Sequence, residues 1–234
     1  MKLTIFGASG DTGEHLVRLA VDHGHDVIAV EREFPAKWES HDRIHEYEAD
    51  VLTDDLTDAV SGSDVILSTL GISKSPMVML DPPALYTESA LKISRAMKAA
   101  KVDRMICISA AFADPKVKVP LWFKGTTMVA MNRIFTQIAD MERVFAAAGL
   151  TTTFVRPGWL LDLPFSDDYQ VSENGLPPNV LRSRRADVAH FMLKCAEEGQ
   201  YKNEKPFIGR PEAFIHENPA ALIPEIAASL GLPT

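Results

Sequence analysis

The chain has 234 residues, of which 46% are hydrophobic and 24% charged, so its composition is that of an ordinary folded protein and excludes general disorder. Its net charge of −8 disfavours nucleic acid and anionic lipid surfaces as main partners. The two cysteines form no CxxC motif, and no His/Cys cluster has zinc spacing, so we expect neither a disulfide framework nor a metal site. We also expect a cytoplasmic protein, because the first apolar run is too short for a signal peptide and no apolar window reaches the roughly 20 residues of a membrane span.

Short apolar runs alternate with longer amphipathic segments along the first two thirds of the chain. In chain order, this pattern predicts strands at 3–6, 26–30, 44–47, 64–70, 104–109 and 152–156, with helices at about 11–24, 53–60, 84–100 and 126–148. Beyond residue 157 it predicts a hairpin arm at 167–175, a helix at 186–199, a short strand at 207–209 and a terminal helix at 219–230.

Strands and helices that alternate at this spacing predict a doubly wound α/β fold, in which a parallel sheet carries helices on both faces. No repeat, low-complexity segment or Gly/Ser linker divides the chain. We therefore expect one domain over residues 1–234, to which residues 157–234 contribute a small lobe on the substrate side.

The sharpest motif is a glycine-rich turn directly after the first strand, and it makes the predicted fold Rossmann-like. Glycines spaced by three let the turn tighten and let backbone N–H groups approach a pyrophosphate at a helix N-terminus. The alternative is an ordinary glycine turn. The candidate cofactor-binding residues of this turn are Gly7, Ser9, Gly10, Asp11, Thr12 and Gly13.

Residues after the second and third strands are candidates to contact the adenosine half of such a cofactor. Glu31 could accept both ribose hydroxyls and favour NAD, whereas Arg32, with help from Lys37, could neutralise a 2′-phosphate and favour NADP. Because a charge-assisted contact to phosphate is stronger than a bond to a neutral hydroxyl, we expect NADP to be preferred, with NAD possible. Asp50 could bond the adenine amino group, and Val51 could pack against the adenine ring. The alternative is that Asp50 is only an acid at the start of a helix.

Together these motifs resemble the NmrA-like group of atypical short-chain dehydrogenases, and most closely the biliverdin-IXβ reductase/flavin reductase proteins. The resemblance covers about nine tenths of the chain and rests on the glycine turn, the residues just described, and the segments Leu70-Gly71, Ser109-Ala110, Arg156-Pro157-Gly158 and 185–193. It implies that Thr69, Leu70 and Gly71 line the cofactor path and that Pro157 bounds the nicotinamide. It also makes Ser109 the catalytic candidate, against the alternative of a serine that caps its own strand.

Two departures from the family direct the choice of substrate. We do not expect the Tyr-x-x-x-Lys machinery with which typical short-chain dehydrogenases exchange protons with alcohols and ketones. In addition, the flavin reductase relatives carry a histidine after the proline, where this chain has Gly158-Trp159, which argues against a tetrapyrrole substrate.

Aromatic residues in the loops after the strands indicate a flat, aromatic small-molecule acceptor, or else a local hydrophobic cluster. The substrate candidates are Phe112, Trp122 and Trp159, with Phe123 and Phe165 nearby in sequence. The sequence thus predicts an NAD(P)H-dependent oxidoreductase that passes hydride to a planar acceptor such as a flavin. The alternative is an NmrA-like regulator that senses NAD(P) without turnover.

Overall fold

The computed structural model describes residues 1–72, 82–120, 123, 125, 131–178, 180–217 and 221. Its strands are β1 (Lys2–Phe6), β2 (Asp26–Glu31), β3 (Ile44–Glu48), β4 (Val65–Ser68), β5 (Arg104–Ile108), β6 (Thr151–Pro157), β7 (Trp159–Leu161), β8 (Gln170–Ser172), β9 (Arg182–Arg184) and β10 (Phe207–Gly209). Its α-helices are α1 (Asp11–Asp22), α2 (Thr57–Val60), α3 (Leu85–Ala100), α4 (Asn132–Ala147), α5 (Arg185–Glu197) and α6 (Phe214–Glu217).

Eight strands form one sheet in the order β3-β2-β1-β4-β5-β6-β10-β8. All neighbouring pairs are parallel except β10 with β8. The central strands are apolar on both sides because both faces of the sheet are covered: Leu3 and Ile5 pack toward α1 and α5, whereas Phe6 and Ile66 pack toward α3 and α4. The predicted doubly wound, Rossmann-like fold is confirmed.

Two predicted elements differ from the observed ones. The helix expected at 53–60 begins only at Thr57, because Asp50 accepts the Leu52 N–H and Asp55 accepts the Thr57 N–H, which holds residues 50–55 in turns. The arm at 167–175 is no local hairpin, since its strand β8 pairs with the distant β10.

The two-stranded sheet of β7 with β9 was not predicted. The first part of the predicted helix 126–148 and nearly all of the predicted helix 219–230 lie outside the described residues. Among the helices that the structure describes, none has both the length and the apolar character needed to cross a bilayer.

Candidate functional site

The glycine turn between β1 and α1 is built so that only glycine fits at two of its positions. Gly7 has a φ of +76°, and a Cβ there would lie 3.0 Å from the backbone nitrogen of Leu70. A Cβ on Gly13 would lie 1.9 Å from the carbonyl oxygen of Gly7. These two glycines therefore let the turn pack against the end of β4 and against the first turn of α1.

Gly10 has a different role, because it is exposed and its own surroundings would accept a side chain. A Cβ there would meet only the Gly7 carbonyl oxygen, at 3.3 Å. Gly10 is also the N-cap of α1 and has no side chain with which to cap the first turn. A helix N-terminus of this kind is where backbone N–H groups bind an anion such as a pyrophosphate.

Two polar residues of the first turn of α1 differ in their exposure. Asp11 is exposed and pairs with Arg185 of α5 at 3.4 Å, whereas the Thr12 side chain is buried. Within this part of the turn, it is the backbone at Gly10 that lies open to a ligand.

A cleft of about 860 Å³ lies beside the turn, at the carboxyl ends of β1, β2 and β4. This is the position at which open parallel sheets bind nucleotides. The structure brings together here seven of the residues predicted to bind the cofactor: Ser9, Glu31, Arg32, Asp50, Val51, Leu70 and Gly71.

Glu31 and Arg32 differ in their exposure and in their hydrogen bonds in this cleft. The half-buried Glu31 accepts a hydrogen bond from the backbone N–H of Ser9, with an N–Oε1 distance of 2.7 Å, so its carboxylate is fixed against the turn. Arg32 is exposed, and Lys37 points to Glu14 at 3.7 Å. The fixed charge at this end of the cleft is therefore negative.

Three further candidates contribute to the shape of the cleft. The Thr69 hydroxyl donates toward the carbonyl oxygens of Phe6 and Gly7, at 3.1 and 2.9 Å, and so ties the end of β4 to the glycine turn. Val51 is buried in the core and forms part of the wall. Asp50 lines the cleft too, but its Oδ1 accepts the Leu52 N–H at 2.8 Å, as in a turn.

Ser109 follows β5 and is buried, and its hydroxyl donates to Oε1 of Glu142 at 2.6 Å. Glu142 lies on α4, is 2% exposed, and receives Nε and Nη2 of Arg156 at 2.9 and 2.7 Å. Lys205 reaches its Oε2 at 2.8 Å, and Arg156 also donates to Asp114 at 2.7 Å. These five residues form a charge network that joins the ends of β5 and β6 to α4, with Ser109, Glu142 and Arg156 buried, Asp114 half-buried and Lys205 exposed.

The network decides what the Ser109 hydroxyl can do. Burial by itself would raise the pKa of Glu142, but hydrogen bonds from Arg156, Lys205 and Ser109 outweigh burial and lower it. An ionised carboxylate only accepts hydrogen bonds, so the Ser109 proton is committed to Glu142 and the serine oxygen keeps its lone pairs. Ser109 can orient an N–H donor, such as a carboxamide, but is poorly placed to give up a proton.

The role of Glu142 was not predicted from the sequence. A signal was present, because Glu142 falls on the same helix face as the buried Ile138, Met141 and Phe145, where a charge requires a partner. Arg156 had been noted only as part of a motif.

The structure places the predicted aromatic residues in different surroundings. Phe112 is buried in the core and its ring lies 4.8 Å from that of Phe123, which is also buried. Trp159 is half-buried and meets Phe123 edge to face, whereas Phe165 is exposed and packs on His190. Phe112 thus belongs to a hydrophobic cluster and offers no free ring face, and Trp122 lies outside the described residues.

Pro157 ends β6, where it is buried and aligned with Ile208 of β10. Beyond it, a second cavity of about 920 Å³ is lined by Asp114 of the charge network and by segments 173–178 and 180–181. The part of the chain predicted to form the substrate-side lobe therefore borders a cavity next to the network.

One tyrosine and one lysine do have the Tyr-x-x-x-Lys spacing, although none was expected: Tyr201 and Lys205. They lie in the irregular segment before β10, where Tyr201 has a φ of 52°. The Tyr201 ring packs on Phe191, and the Lys205 ammonium is bound to Glu142. Because no helix places the two side chains on one face, this pair is not the machinery of the typical short-chain dehydrogenases.

The fold, the glycine turn and the cleft define a dinucleotide-binding protein of the Rossmann type. Residues 7–199 match the model of the NAD(P)H-binding family, and the chain belongs to that family.

Solved structures with the same fold cover nearly the whole chain. An oxidoreductase from Lactococcus lactis has a TM-score of 0.74 at 17% identity, covering 95% of this chain and 97% of that one. A short-chain dehydrogenase/reductase from Veillonella parvula, crystallised with NADP, has a TM-score of 0.72 at 19% identity, with coverages of 90% and 94%. A candidate NADH-flavin reductase from Streptococcus pneumoniae has a TM-score of 0.70 at 20% identity, with coverages of 90% and 99%. At these identities the likeness concerns the fold.

Proposed function

We propose that this protein is an NAD(P)H-dependent reductase of the atypical short-chain type that passes hydride to a planar acceptor such as a flavin. The observation that carries the proposal is the cleft of about 860 Å³, which lies between Ser9 of the glycine turn and the carboxyl ends of β1, β2 and β4. The names of the similar structures from L. lactis and S. pneumoniae support reductase chemistry. When bound, NAD(P)H supplies the hydride.

The residues of this chain then bind and orient the cofactor and the acceptor. The glycine turn and the N-terminus of α1 hold the pyrophosphate, and Val51, Leu70 and Gly71 enclose the adenosine side. The oxygen of Ser109 accepts a hydrogen bond from the carboxamide, and the Glu142–Arg156 pair keeps Ser109 in that orientation. We propose that the acceptor enters from the side of Trp159 and the second cavity.

For the cofactor, the geometry favours NADH over the NADPH that the sequence indicated. The carboxylate of Glu31 is fixed by Ser9 at 2.7 Å, in the position suited to ribose hydroxyls, and a 2′-phosphate would meet this charge. Arg32 is exposed and so is a weaker partner for a phosphate than the sequence suggested.

The test is steady-state oxidation of NADH and NADPH with FMN, FAD and a quinone, with Gly10→Val as the matched control. We expect turnover with at least one of these acceptors and none above background in the control, whose cofactor affinity is measured separately by calorimetry. Cofactor binding without turnover on any planar acceptor would favour the NAD(P)-sensing regulator. Absence of cofactor binding in the folded wild type would reject both functions.

A further inference from the structure

A second cluster of chemically active side chains lies at the far end of α1 from the glycine turn. Helix α1 has 12 residues, so its two ends are roughly 18 Å apart at 1.5 Å per residue. The cluster consists of His23 and His25, at the C-terminus of α1, and Glu197, the last residue of α5. The proposed reduction uses none of these residues.

The backbone places the two histidines side by side before any ligand binds. Gly24 adopts a φ of +79°, and the N–H groups of Gly24 and His25 donate to the carbonyl oxygens of Val21 and Ala20 at 2.8 and 2.9 Å. This is a closed helix C-terminus of the Schellman type. Because His23 and His25 flank the glycine, the turn sets the backbone positions from which their side chains extend, and the contacts to Glu197 orient the rings.

Helix α5 packs against α1 and brings the third group to the same point. Oε1 of Glu197 lies 2.9 Å from Nδ1 of His23 and 2.8 Å from Nε2 of His25. The three ligand atoms all lie within 4.8 Å of one another. The side chains are 41%, 12% and 29% exposed for His23, His25 and Glu197, so an ion could reach them from solvent.

We propose that His23, His25 and Glu197 form a binding site for a divalent transition-metal ion of the zinc class. Two imidazoles and one carboxylate are a known zinc donor set, and a fourth position would be left for water. Tetrahedral bonds of about 2.0–2.2 Å separate donors by roughly 3.3 Å, so each nitrogen needs to move away from the carboxylate oxygen by about half an ångström, and the two nitrogens, which lie within 4.8 Å of one another, need to reach the same separation. Such a shift lies within the freedom of side chains at a surface.

The site would join α1 to α5 and so stabilise the packing on one face of the sheet. At roughly 18 Å from the glycine turn, along a 12-residue helix, the metal would take no part in the reduction. No zinc motif is visible along the chain because the carboxylate lies 172 residues after His25.

The test is calorimetric titration of untagged, chelator-treated protein with ZnSO₄, together with the visible spectrum of the Co²⁺-loaded protein. We expect one Zn²⁺ per chain and the intense visible bands of Co²⁺ in a tetrahedral site. Saturation at 100 times Kd should raise the folded-to-unfolded ratio about 100-fold, visible as an increase in Tm. His25→Ala and the conservative Glu197→Gln should each weaken Zn²⁺ binding at least tenfold, whereas the control His41→Ala should not.

Two results would overturn the proposal. Absence of Zn²⁺ binding at 1 mM would mean that the cluster is only a hydrogen-bonded His–Glu–His group. Binding unchanged in Glu197→Gln and His25→Ala, both with wild-type circular dichroism, would place the ion elsewhere.

Discussion

We predict that Glu31, at the end of β2, makes the wild type bind NADH more tightly than NADPH. The Glu31 carboxylate is half-buried and is fixed by the 2.7 Å hydrogen bond from Ser9. A phosphate charge about 4 Å away would be repelled by about 4 kcal/mol at an effective dielectric constant of 20. Attraction to the exposed Arg32 returns about 1 kcal/mol or less. The difference of about 3 kcal/mol corresponds to roughly a 100-fold weaker Kd for NADPH.

Glu31→Gln keeps the shape of the side chain and removes its charge. Hydrogen bonds to a charged acceptor contribute about 1.5–3 kcal/mol and neutral ones about 0.5–1.5 kcal/mol, so NADH should bind about tenfold more weakly. NADPH should bind at least tenfold more tightly, because the repulsion is gone while Arg32 remains. The preference for NADH should therefore disappear in this variant.

Calorimetric titration of both cofactors into wild type, Glu31→Gln and Arg32→Ala measures these effects, with Lys98→Ala, in the last turn of α3, as a surface-charge control. If the wild type prefers NADPH, and if Arg32→Ala abolishes that preference while Glu31→Gln leaves it intact, the reasoning from the Ser9–Glu31 bond is wrong. The original assignment of specificity to Arg32 would then stand.

Three further outcomes follow from the site geometry. Gly10→Val should lose NAD(P)H binding in calorimetry. It should still fold, because its Cβ meets only one atom of the turn, at 3.3 Å. Gly13→Ala should instead lower Tm, because its Cβ would lie 1.9 Å from the Gly7 oxygen. Glu142→Gln should cost about 3 kcal/mol of unfolding free energy at pH 7, where the carboxylate is ionised. The folded-state pKa of Glu142 is lowered from 4.5. The difference in unfolding free energy between the wild type and Glu142→Gln should therefore shrink as the pH falls below 4.5, and urea titrations would measure this. Trp159→Ala should raise KM for FMN with little change in kcat, because stacking is shared by the ground and transition states.

Local sequence signals were enough for the main sheet, because a parallel strand buried on both faces is a continuous apolar run bounded by turns. They were insufficient where the paired strands are far apart in the chain or are only a few residues long. Strand β8 has three residues and finds its partner in β10, and β7 and β9, also of three residues each, are paired across 20 residues of chain. At 53–60, acidic residues resembled the first turn of a helix, but their carboxylates bind backbone N–H groups in turns instead.

For the site, the glycine turn could be predicted because its spacing reports a backbone geometry. The choice between Glu31 and Arg32 could not, since it depends on which side chain reaches the Ser9 N–H. The charge network also escaped prediction, because Ser109, Glu142 and Lys205 meet only after α4 and the segment before β10 pack together.

The state of Ser109 gives a final prediction on mechanism. Its proton is held by Glu142, whose carboxylate stays ionised near neutral pH, so Ser109 cannot act as a general acid. An acceptor that takes one hydride from the cofactor and then one proton from solvent, as an oxidised flavin can, suits such a site. Ser109→Ala should then raise the activation free energy by only about 0.5–1.5 kcal/mol, which lowers kcat roughly tenfold at most. The rate with FMN should be flat from about pH 6 to 9. A sharp bell-shaped profile, together with a loss of several thousandfold in Ser109→Ala, would show that proton transfer at Ser109 limits the reaction and that its bond to Glu142 is not the resting state.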